Sequence, residues 1–464
     1  MSIDSLARRL EGHSHPTVID SLLRGVSSFA AVGGNVRWLV AGGRAALIWL
    51  PVYALLAHEL SSFGAVATTS LVTGVWLVAL RAGLSTYFTL GPAVASAVGT
   101  ASGLVAVSAI DLWMPGLNLD AVKLAETALA VFVLSAAWEH FIRIIAKRRV
   151  LIVGTSGVAA VVVEELAHAE HAPFTVIGVV DDEDAPGSAG MPRLGSIPEL
   201  SLIVDAQRPD IVLLTDEKTS GPALDRLLSL ATVDFKVGGV PHFFEHAFGR
   251  VPLTYLTPAW FMSMLHLRQK PYTRVTKRAF DLLVSSIGLL LIAPPFLLVA
   301  PLVRTTRGPI FYRQTRLGER GRHFTMYKLR TMRQNAEEPG HPLFAEERDP
   351  RATRIGRFLR KTHLDEVPQL WNVLRGDMSI VGPRPERPEF VELLEESVPF
   401  WTRRLLVKPG ITGWAQVQCG YAHDPETTAD KLSYDLWYLR NRNVVIDLAI
   451  CAKTFSALLF RSGR

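Results

Sequence analysis

Residues 280–303 read FDLLVSSIGLLLIAPPFLLVAPLV, an apolar stretch longer than the ~20 residues that a helix needs to cross ~30 Å of hydrocarbon. Basic residues flank the stretch on both sides: Lys277 and Arg278 precede it, and Arg304 and Arg307 follow it. Lys and Arg favour the cytoplasmic side of a membrane. Both ends of the stretch are therefore expected on the same, cytoplasmic face.

A proline pair, Pro294-Pro295, lies in the middle of this stretch. The two prolines remove two backbone N–H donors and restrict the residue before them, so a straight helix is expected to break here. We therefore predict, within a segment of residues 258–304, a re-entrant helix that enters the membrane, turns at the prolines and returns to the same face. The alternative is an ordinary fifth span with a kink.

The composition of the whole chain excludes several classes of protein. Of its 464 residues, 49% are hydrophobic and 20% are charged, and the mean hydropathy is +0.23. These values exclude disordered and collagen-like chains, argue against a purely cytosolic enzyme, and predict about three folding units. Two cysteines, Cys419 and Cys451, cannot form a disulfide framework. The net charge of +6 suits a nucleic acid, an anionic bilayer or a phosphate-rich substrate.

Further apolar stretches near the length of a membrane span lie in the first third of the chain. They cover residues 38–57, 64–80, 91–113 and 121–142. We predict a four-helix transmembrane bundle over residues 37–145, after a cytoplasmic arm over residues 1–36 that carries no secretory pattern. The distribution of Lys and Arg places both ends of the bundle in the cytoplasm. The alternative is a set of buried helices in a soluble core.

Residues 146–257 alternate short apolar runs with helical patterns. The runs expected to be strands are residues 150–154, 176–180, 211–214 and 235–237. Strands that alternate with helices predict a parallel sheet, and so a Rossmann-like α/β domain.

The turn after the first of these strands reads Gly154-Thr155-Ser156-Gly157-Val158-Ala159. It departs from the dinucleotide-binding fingerprint, because Ser156 stands at the second glycine position and Ala159 at the third. Asp181, after the second strand, remains compatible with a ribose-binding position. The sequence favours a dimerisation or regulatory scaffold over NAD binding.

Residues 305–464 are basic and polar and contain no plausible membrane span. Lys328 and Arg330 alternate on a predicted strand and are expected side by side on one face. Segments 400–406 and 444–460 mix charged and apolar residues, which predicts helices in the headgroup layer. A helical stripe of arginines by itself indicates a solvated or membrane-contacting face. The stripe consists of Arg351, Arg354, Arg357 and Arg360.

Two adjacent carboxylates, Asp365 and Glu366, follow this stripe where a helix is expected to begin, with Thr362 as its N-cap. Acidic residues at such a position can simply favour the helix dipole. The functional alternative is a division of labour, in which one carboxylate attacks phosphorus and the other binds Mg²⁺.

An arginine between two prolines follows in Gly382-Pro383-Arg384-Pro385-Glu386. Because proline fixes φ, this loop is expected to be stiff and to hold Arg384 for bidentate recognition of a phosphate. The alternative is a purely structural proline turn.

The order of these motifs resembles one family, the bacterial polyprenyl-phosphate hexose-1-phosphate transferases. The motifs that carry the resemblance are Lys277-Arg278-Ala279-Phe280-Asp281, Tyr327-Lys328-Leu329-Arg330-Thr331-Met332, Leu364-Asp365-Glu366-Val367-Pro368-Gln369, Gly376-Asp377-Met378-Ser379, Gly382-Pro383-Arg384-Pro385-Glu386 and Lys408-Pro409-Gly410-Ile411-Thr412-Gly413. The N-terminal spans and the α/β domain look like the long form of that family, which starts exopolysaccharide or O-antigen repeat units. The resemblance implies that residues 305–464 form a monotopic α/β catalytic domain at the membrane surface, next to the re-entrant helix.

The resemblance implies transfer of a hexose-1-phosphate from a UDP-sugar, glucose or galactose, to undecaprenyl phosphate, with release of UMP. It implies that Asp365 is the nucleophile that forms a phosphosugar-enzyme intermediate and that Glu366 is the Mg²⁺ ligand. Arg360 matches the family's arginine near the active-site phosphate. We infer phosphate contacts for Lys328, Arg330 and Arg384.

The expected partners are a UDP-sugar, undecaprenyl phosphate, the lipid bilayer and a second copy of the chain, with no nucleic acid. The expected location is the bacterial inner membrane, as a multi-pass protein whose catalytic domain faces the cytoplasm. The main rival function is a membrane-tethered NAD(P)-dependent sugar oxidoreductase that uses the α/β domain, and a non-enzymatic assembly scaffold is the third possibility.

Overall fold

The computed structural model describes residues 35–57, 62–86, 91–113, 120–145, 147–154, 157–168, 174–182, 190–215, 217–228, 230, 235–253, 256, 260–261, 271–306, 308–334, 336, 349–419 and 425–460. The predicted arm of residues 1–36 lies almost wholly outside the described residues, as do Thr155 and Ser156 of the glycine turn. The chain forms two compact units, Met1–Phe243 (unit 1) and Phe244–Arg464 (unit 2).

Unit 1 begins with four helices that correspond to the four predicted apolar stretches. They are α1 (Asn35–Leu56), α2 (Ser62–Thr86), α3 (Pro92–Trp113) and α4 (Ala121–Ile145). Their shared interior is apolar, and Ile48, Trp76 and Val131 are fully buried in it. The indole of Trp76 donates a hydrogen bond to Thr100 O at 3.1 Å. The prediction of four helices here is confirmed.

All four helices contain apolar segments. Segments long and apolar enough to cross a membrane are Pro92–Ala109 in α3 and Ala121–Arg143 in α4, while α1 and α2 hold the shorter apolar segments Val40–Ala54 and Ala65–Leu80. In α1 the apolar pattern is interrupted by Arg44, whose Nε donates to Glu139 Oε1 of α4 at 2.7 Å. The structure therefore supports complete spans for α3 and α4, while α1 and α2 are helices of 22 and 25 residues with apolar segments in their described parts.

A five-stranded sheet follows in unit 1, and each pair of neighbouring strands is parallel. Its order is β3-β2-β1-β4-β5, with β1 (Arg148–Val153), β2 (Phe174–Val180), β3 (Arg193–Gly195), β4 (Ile211–Leu214) and β5 (Lys236–Gly239). Residues 150–153 in the centre are fully buried, as expected for a strand covered on both faces. The predicted parallel α/β sheet is confirmed, and β3 is a strand that the sequence pattern did not indicate.

Helices connect and cover these strands. They are α5 (Gly157–His168), α6 (Leu200–Gln207), α7 (Glu217–Leu228) and α8 (Val240–Ala247). Leu200 and Val204 of α6 pack with Leu151 and Val153 of β1. Asp181 is buried at the carboxyl end of β2, where its Oδ1 accepts a hydrogen bond from the backbone of Asp182 at 2.7 Å.

The boundary between the units falls inside α8, earlier than the predicted end of the α/β domain at residue 257. The reason is a set of hydrogen bonds that attach the following residues to the last third of the chain. Trp437 Nε1 donates to Glu245 O at 2.9 Å, and Trp414 Nε1 donates to Gly249 O at 2.7 Å. Residues 244–253 therefore belong with unit 2.

The apolar stretch around the proline pair is one helix, α9 (Pro271–Arg304), in which Arg274–Leu297 is also long and apolar enough to cross a membrane. Helical structure continues through Pro294 and Pro295. The predicted break does not interrupt the helical structure, and the turn within the membrane stays a prediction. Physically, each proline removes one hydrogen bond to the preceding turn, but its fixed φ is itself helical, so a proline pair bends a helix more readily than it ends it.

Both ends of α9 contact other elements of unit 2. Near its start, the Arg278 guanidinium donates to Val373 O at 2.7 Å and to Leu374 O at 2.6 Å. At its end, Val303 is buried in an apolar cluster with Leu329 and Leu359. The segment between them is apolar and exposed: Leu290, Leu291 and Leu297 are 75%, 69% and 72% exposed.

The rest of unit 2 has little sheet. An antiparallel pair joins β6 (Phe311–Leu317) and β7 (His323–Leu329), and a parallel pair joins β8 (Ser379–Val381) and β9 (Gly410–Thr412). The α-helices are α10 (Arg354–Thr362), α11 (Gln369–Arg375), α12 (Pro388–Ser397), α13 (Trp414–Cys419), α14 (Pro425–Asn441) and α15 (Val444–Phe460).

The two predicted interfacial segments differ in the structure. Residues 444–460 form α15, which exposes Leu448 and Phe455. Residues 400–406 instead contain the 3₁₀ helix Trp401–Leu406, in which Trp401 and Arg404 are buried inside unit 2. The prediction of a headgroup-layer helix at 400–406 is wrong, because its charged and aromatic residues pair with each other.

Candidate active site

Strand β7 positions the first charged group of the site, Lys328. Tyr312 of β6 lies directly opposite Lys328 in the register of the antiparallel pair. Side chains that are opposite each other in such a pair lie on the same face. Lys328 and the partly exposed Tyr312 therefore share one face of the hairpin.

Arg330 has a different set of partners from Lys328. It comes just after the last residue of β7, and its buried guanidinium turns to the end of α9, where it donates to Pro309 O and to Thr306 Oγ1, both at 2.8 Å. Lys328 and Arg330 thus have different partners, and their predicted placement side by side stays a prediction. The inferred phosphate contact of Arg330 stays a prediction, and the structure gives this side chain a role in fastening the end of α9 to the hairpin.

Helix α10 and the turn after it position the two carboxylates. The helix begins at an N-cap, Thr353, whose hydroxyl accepts a hydrogen bond from Gly356 N at 2.9 Å. It ends where His363 adopts a left-handed conformation, with φ of 54°. A single 3₁₀ turn, Leu364–Glu366, then holds Asp365 and Glu366.

The predicted N-cap at Thr362 is wrong, because Thr362 is the last residue of α10 and its hydroxyl donates backward to Phe358 O at 2.9 Å. The left-handed His363 sharply changes the direction of the chain. Arg360, in the last turn of α10, lies half-buried three residues before that change of direction.

The structure brings together Lys328, Glu366 and Arg384 beside Asp365. Lys328 Nζ lies 2.7 Å from Glu366 Oε1, and Arg384 Nη2 lies 3.5 Å from the same oxygen. Asp365 is the neighbouring residue and is only 8% exposed. The result is a small, largely buried site that has two carboxylates and two cations.

The two carboxylates have opposite electrostatics although they are adjacent. Burial opposes ionisation of Glu366, but the charges of Lys328 and Arg384 outweigh burial and lower its pKa to about 2. For Asp365, burial dominates and raises its pKa, Lys328 acts against that shift, and the charge of Glu366 adds to it. Glu366 is therefore a fixed anion, whereas Asp365 is a carboxylate whose charge is incompletely compensated.

The proline loop, residues 382–386, holds Arg384 against the site. Gly382 N donates to Thr412 O and Gly410 N donates to Pro383 O, both at 2.9 Å. These bonds continue the β8–β9 pairing, so the motif at residues 408–413 forms the support of the loop. The approach is so close that a Cβ on Gly382 would overlap the backbone of Lys408 and Gly410.

Two residues of this region were missed by the sequence analysis. His363 is near enough to Asp365 and Glu366 to act electrostatically on both carboxyl groups, lowering the pKa of each. Asn372, fully buried on α11, donates through Nδ2 to Thr325 O at 2.7 Å and accepts from Tyr327 N at 3.1 Å, which fixes β7 against α11. An asparagine inside an apolar helix pattern is the only sequence signal for its role.

The carboxylates fit a magnesium ion in one specific way. No cluster of three or more His, Cys, Asp or Glu side chains occurs among the described residues. Magnesium needs only one or two protein carboxylates when phosphate oxygens and waters complete its octahedron. Both contacts to Glu366 fall on Oε1, so Glu366 with Asp365 beside it suits such a site.

Comparison with known sequences agrees with this geometry. The sequence profile of the bacterial sugar transferase family matches residues 272–461. The exopolysaccharide production protein ExoY of Sinorhizobium fredii is 35% identical over 222 residues, which cover 45% of this chain and 96% of that protein. The chain thus belongs to the bacterial sugar transferase family.

Longer relatives match as well. A UDP-N-acetylgalactosamine-undecaprenyl-phosphate N-acetylgalactosaminephosphotransferase of Aeromonas hydrophila is 36% identical over 273 residues, 59% of this chain and 62% of that protein. A UDP-glucose:undecaprenyl-phosphate glucose-1-phosphate transferase of Escherichia coli (strain K12) is 31% identical over 309 residues, 66% of each chain. The matched region thus spans just under two thirds of these relatives.

Proposed function

We propose that this protein transfers a hexose-1-phosphate from a UDP-sugar to undecaprenyl phosphate and releases UMP, as the first membrane step of exopolysaccharide or O-antigen assembly. One observation carries the proposal: Asp365, buried and only partly compensated, lies beside Glu366, which Lys328 and Arg384 keep ionised. The relatives' names supply the substrate class. Glucose and galactose are the proposed sugars.

The proposed reaction is a double displacement. A carboxylate oxygen of Asp365 attacks the β-phosphorus of the UDP-sugar, the bond to the UMP oxygen breaks, and UMP leaves with the electron pair. The sugar phosphate remains on Asp365 as an acyl phosphate. An oxygen of undecaprenyl phosphate then attacks that phosphorus, the bond to Asp365 breaks, and the carboxylate is regenerated.

The surrounding charges serve this reaction. Lys328 and Arg384 neutralise the diphosphate where negative charge gathers, and Arg360 is the third proposed phosphate contact. Glu366 would hold Mg²⁺, which when bound supplies further neutralisation of the diphosphate. Double displacement also means that the water-soluble donor and the lipid acceptor need not occupy this small site together.

We propose that α9 is re-entrant. Two observations support this proposal. Arg278 near one end of α9 and Val303 at the other both contact other elements of unit 2, and leucines between them are exposed. A straight spanning helix would separate its ends by the ~30 Å of the hydrocarbon core. Accessibility labelling of a cysteine placed at Pro294 or Pro295 tests this: modification only from outside, with an external C-terminus, would mean a fifth span.

The remaining proposals concern topology and the α/β domain. We place the protein in the bacterial inner membrane as a multi-pass homodimer, with both units' soluble parts in the cytoplasm. The strand order β3-β2-β1-β4-β5 supports a Rossmann-like fold. Because Ser156 and Ala159 replace fingerprint glycines, this domain is proposed as a scaffold for dimerisation or regulation, and the relatives' names give no support to the rival oxidoreductase.

One assay tests the proposed function. Purified protein, Mg²⁺ and undecaprenyl phosphate are incubated with radiolabelled UDP-sugars one at a time, and the lipid product is analysed. A labelled lipid diphosphate-sugar together with UMP is the expected result. NAD(P)-dependent oxidation of the sugar, without UMP, would replace the proposal by the oxidoreductase.

A further inference from the structure

A second charge network, centred on the buried Arg404, adjoins the proline loop. Arg404 is only 4% exposed, and its guanidinium lies 4.2 Å from the ring centre of Trp401. Its Nη2 is 2.7 Å from Asp435 Oδ2, and its Nη1 is 3.3 Å from Glu386 Oε1. Arg404 therefore joins α14, through Asp435, to the last residue of the proline loop.

Strand β6 holds the same end of the loop from another direction. Arg316 Nη1 donates to Pro385 O at 3.1 Å, and Leu317 N donates to Glu386 O at 3.0 Å. Arg316 Nη1 is also 4.0 Å from Glu386 Oε2, which places the Glu386 carboxylate between two arginines. Burial dominates the environment of Arg316 and lowers its pKa to about 10, although Glu386 opposes that shift.

The loop therefore has a fixed side and a functional side. Backbone bonds to β6 and β9 and the two arginines hold Pro383, Pro385 and Glu386. Arg384, between the two prolines, turns to Glu366 instead and is about a third exposed. Because both prolines restrict φ, the loop has few backbone rotations left to absorb a displacement of Glu386, and part of that displacement is passed on to Arg384.

We propose that Arg404 is a positioning residue for the transfer reaction: through Glu386 it fixes the proline loop so that Arg384 meets Glu366 and the donor diphosphate. This inference rests on the proposed function. Its geometry requires arginine, because one planar guanidinium stacks on Trp401 and contacts two carboxylates in different directions, which a lysine ammonium cannot do.

A double-mutant cycle tests the role. The readout is the rate of UMP release from a UDP-sugar without lipid, measured for wild type, Arg404→Lys, Arg384→Ala and the double variant. We expect Arg404→Lys to slow release about tenfold. If Arg404 acts through Arg384, the same substitution in the Arg384→Ala background should change the rate less than about twofold.

Two further variants keep the test sharp. Glu386→Gln removes the same contact from the loop side with no change in volume, and it should show the same non-additivity even if Arg404→Lys does not fold. Asp430→Asn is the matched control, since Asp430 is also on α14 and also pairs with an arginine, Arg250 at 2.9 Å. It should leave UMP release unchanged.

The outcomes separate the two proposals. Suppose that the wild type releases UMP and that Arg404→Lys and Glu386→Gln each slow release by the same factor in the wild-type and Arg384→Ala backgrounds. That result would overturn the positioning role and leave the proposed function intact. No UMP release by the wild type with any UDP-sugar would overturn the proposed function, and the positioning role with it.

Discussion

The five-stranded sheet of unit 1 and the catalytic region of unit 2 are held together by different forces. In the sheet, apolar side chains such as Leu151, Val153 and Val212 are fully buried in one cluster. In the described part of unit 2 the sheets have two strands each, and buried ion pairs join the elements in addition to apolar contacts. Lys277 of α9 lies 2.6 Å from Asp447 of α15, and Arg404 joins Asp435 to the proline loop.

The two kinds of interaction serve different purposes: apolar burial makes a fold tolerant of small changes, whereas directional ion pairs hold atoms in defined positions. Apolar burial is non-directional, so the sheet tolerates small changes of shape at a modest cost in stability. Hydrogen-bonded charges are directional and lose much when one partner is removed. A reaction that needs atoms placed within about half an ångström is better served by the second kind of interaction.

The largest expected effect is at the proposed nucleophile, Asp365. Asp365→Asn should lower lipid-free UMP release by more than about 10³-fold, because an amide oxygen is a poor nucleophile at phosphorus. Thermal unfolding should remain close to wild type, since the volume is unchanged. Mass spectrometry of the wild type after incubation with UDP-sugar alone should find the sugar phosphate on the peptide with Asp365. A folded Asp365→Asn variant that is active would remove Asp365 from the chemistry.

Next in size is the buried network at the start of α9. Lys277→Met leaves Asp447 and Asp281 buried without their cation, which should cost about 3–5 kcal/mol of stability. The matched control is Arg375→Met, whose partner Asp377 lies at the surface, for about 0–1 kcal/mol. Thermal unfolding in detergent measures both. Equal losses would mean that the buried ions of unit 2 are no more important than surface pairs.

A smaller effect concerns pH. Burial raises the pKa of Asp365. The ionised, nucleophilic form therefore becomes dominant only at a pH higher than an ordinary aspartate requires. Lys328 opposes that shift, and Lys328→Met should therefore raise the pKa further and move the acid limb of UMP release to higher pH. Lys361→Met, at an exposed position on α10, is the control. An acid limb that stays in place in Lys328→Met would contradict the electrostatic assignment.

The smallest effect is expected in the sheet. Ile152→Val, at the fully buried centre of β1, should cost about 0.5–1.5 kcal/mol and leave the rate of UMP release per folded molecule unchanged. Circular dichroism melting and the lipid-free assay measure the two quantities. A large drop in rate with a small drop in stability would show that placement in the site depends on the sheet after all.

The same contrast explains what the sequence allowed us to predict. Runs such as residues 150–153 are local and apolar, so β1, β2 and β4 were predicted, whereas β3 is only three residues long with no apolar run. The change from a right-handed to a left-handed backbone conformation at His363 has no signature in the sequence. Thr362 was therefore predicted to begin the next helix, whereas it is the last residue of α10.

Placement in the site depended on contacts between distant residues. The motifs predicted Lys328 and Arg384 as phosphate contacts, but their approach to Glu366 is a tertiary contact that no periodicity contains. At residues 401–404, buried arginine and tryptophan have the same pattern as an interfacial helix. Charge in a sequence does not indicate whether its partner is water or a buried carboxylate.

The pair between Lys277 and Asp447 joins the first and last α-helices of the sugar transferase region, 170 residues apart. At about 5–20 residues per second, a ribosome adds Asp447 roughly 10 to 30 s after Lys277. During that interval the membrane helix has emerged, but its lysine has no Asp447 to neutralise. The sugar transferase region therefore gains this ion pair only once Asp447 has been added, and a chain that stopped before Asp447 would leave Lys277 without it.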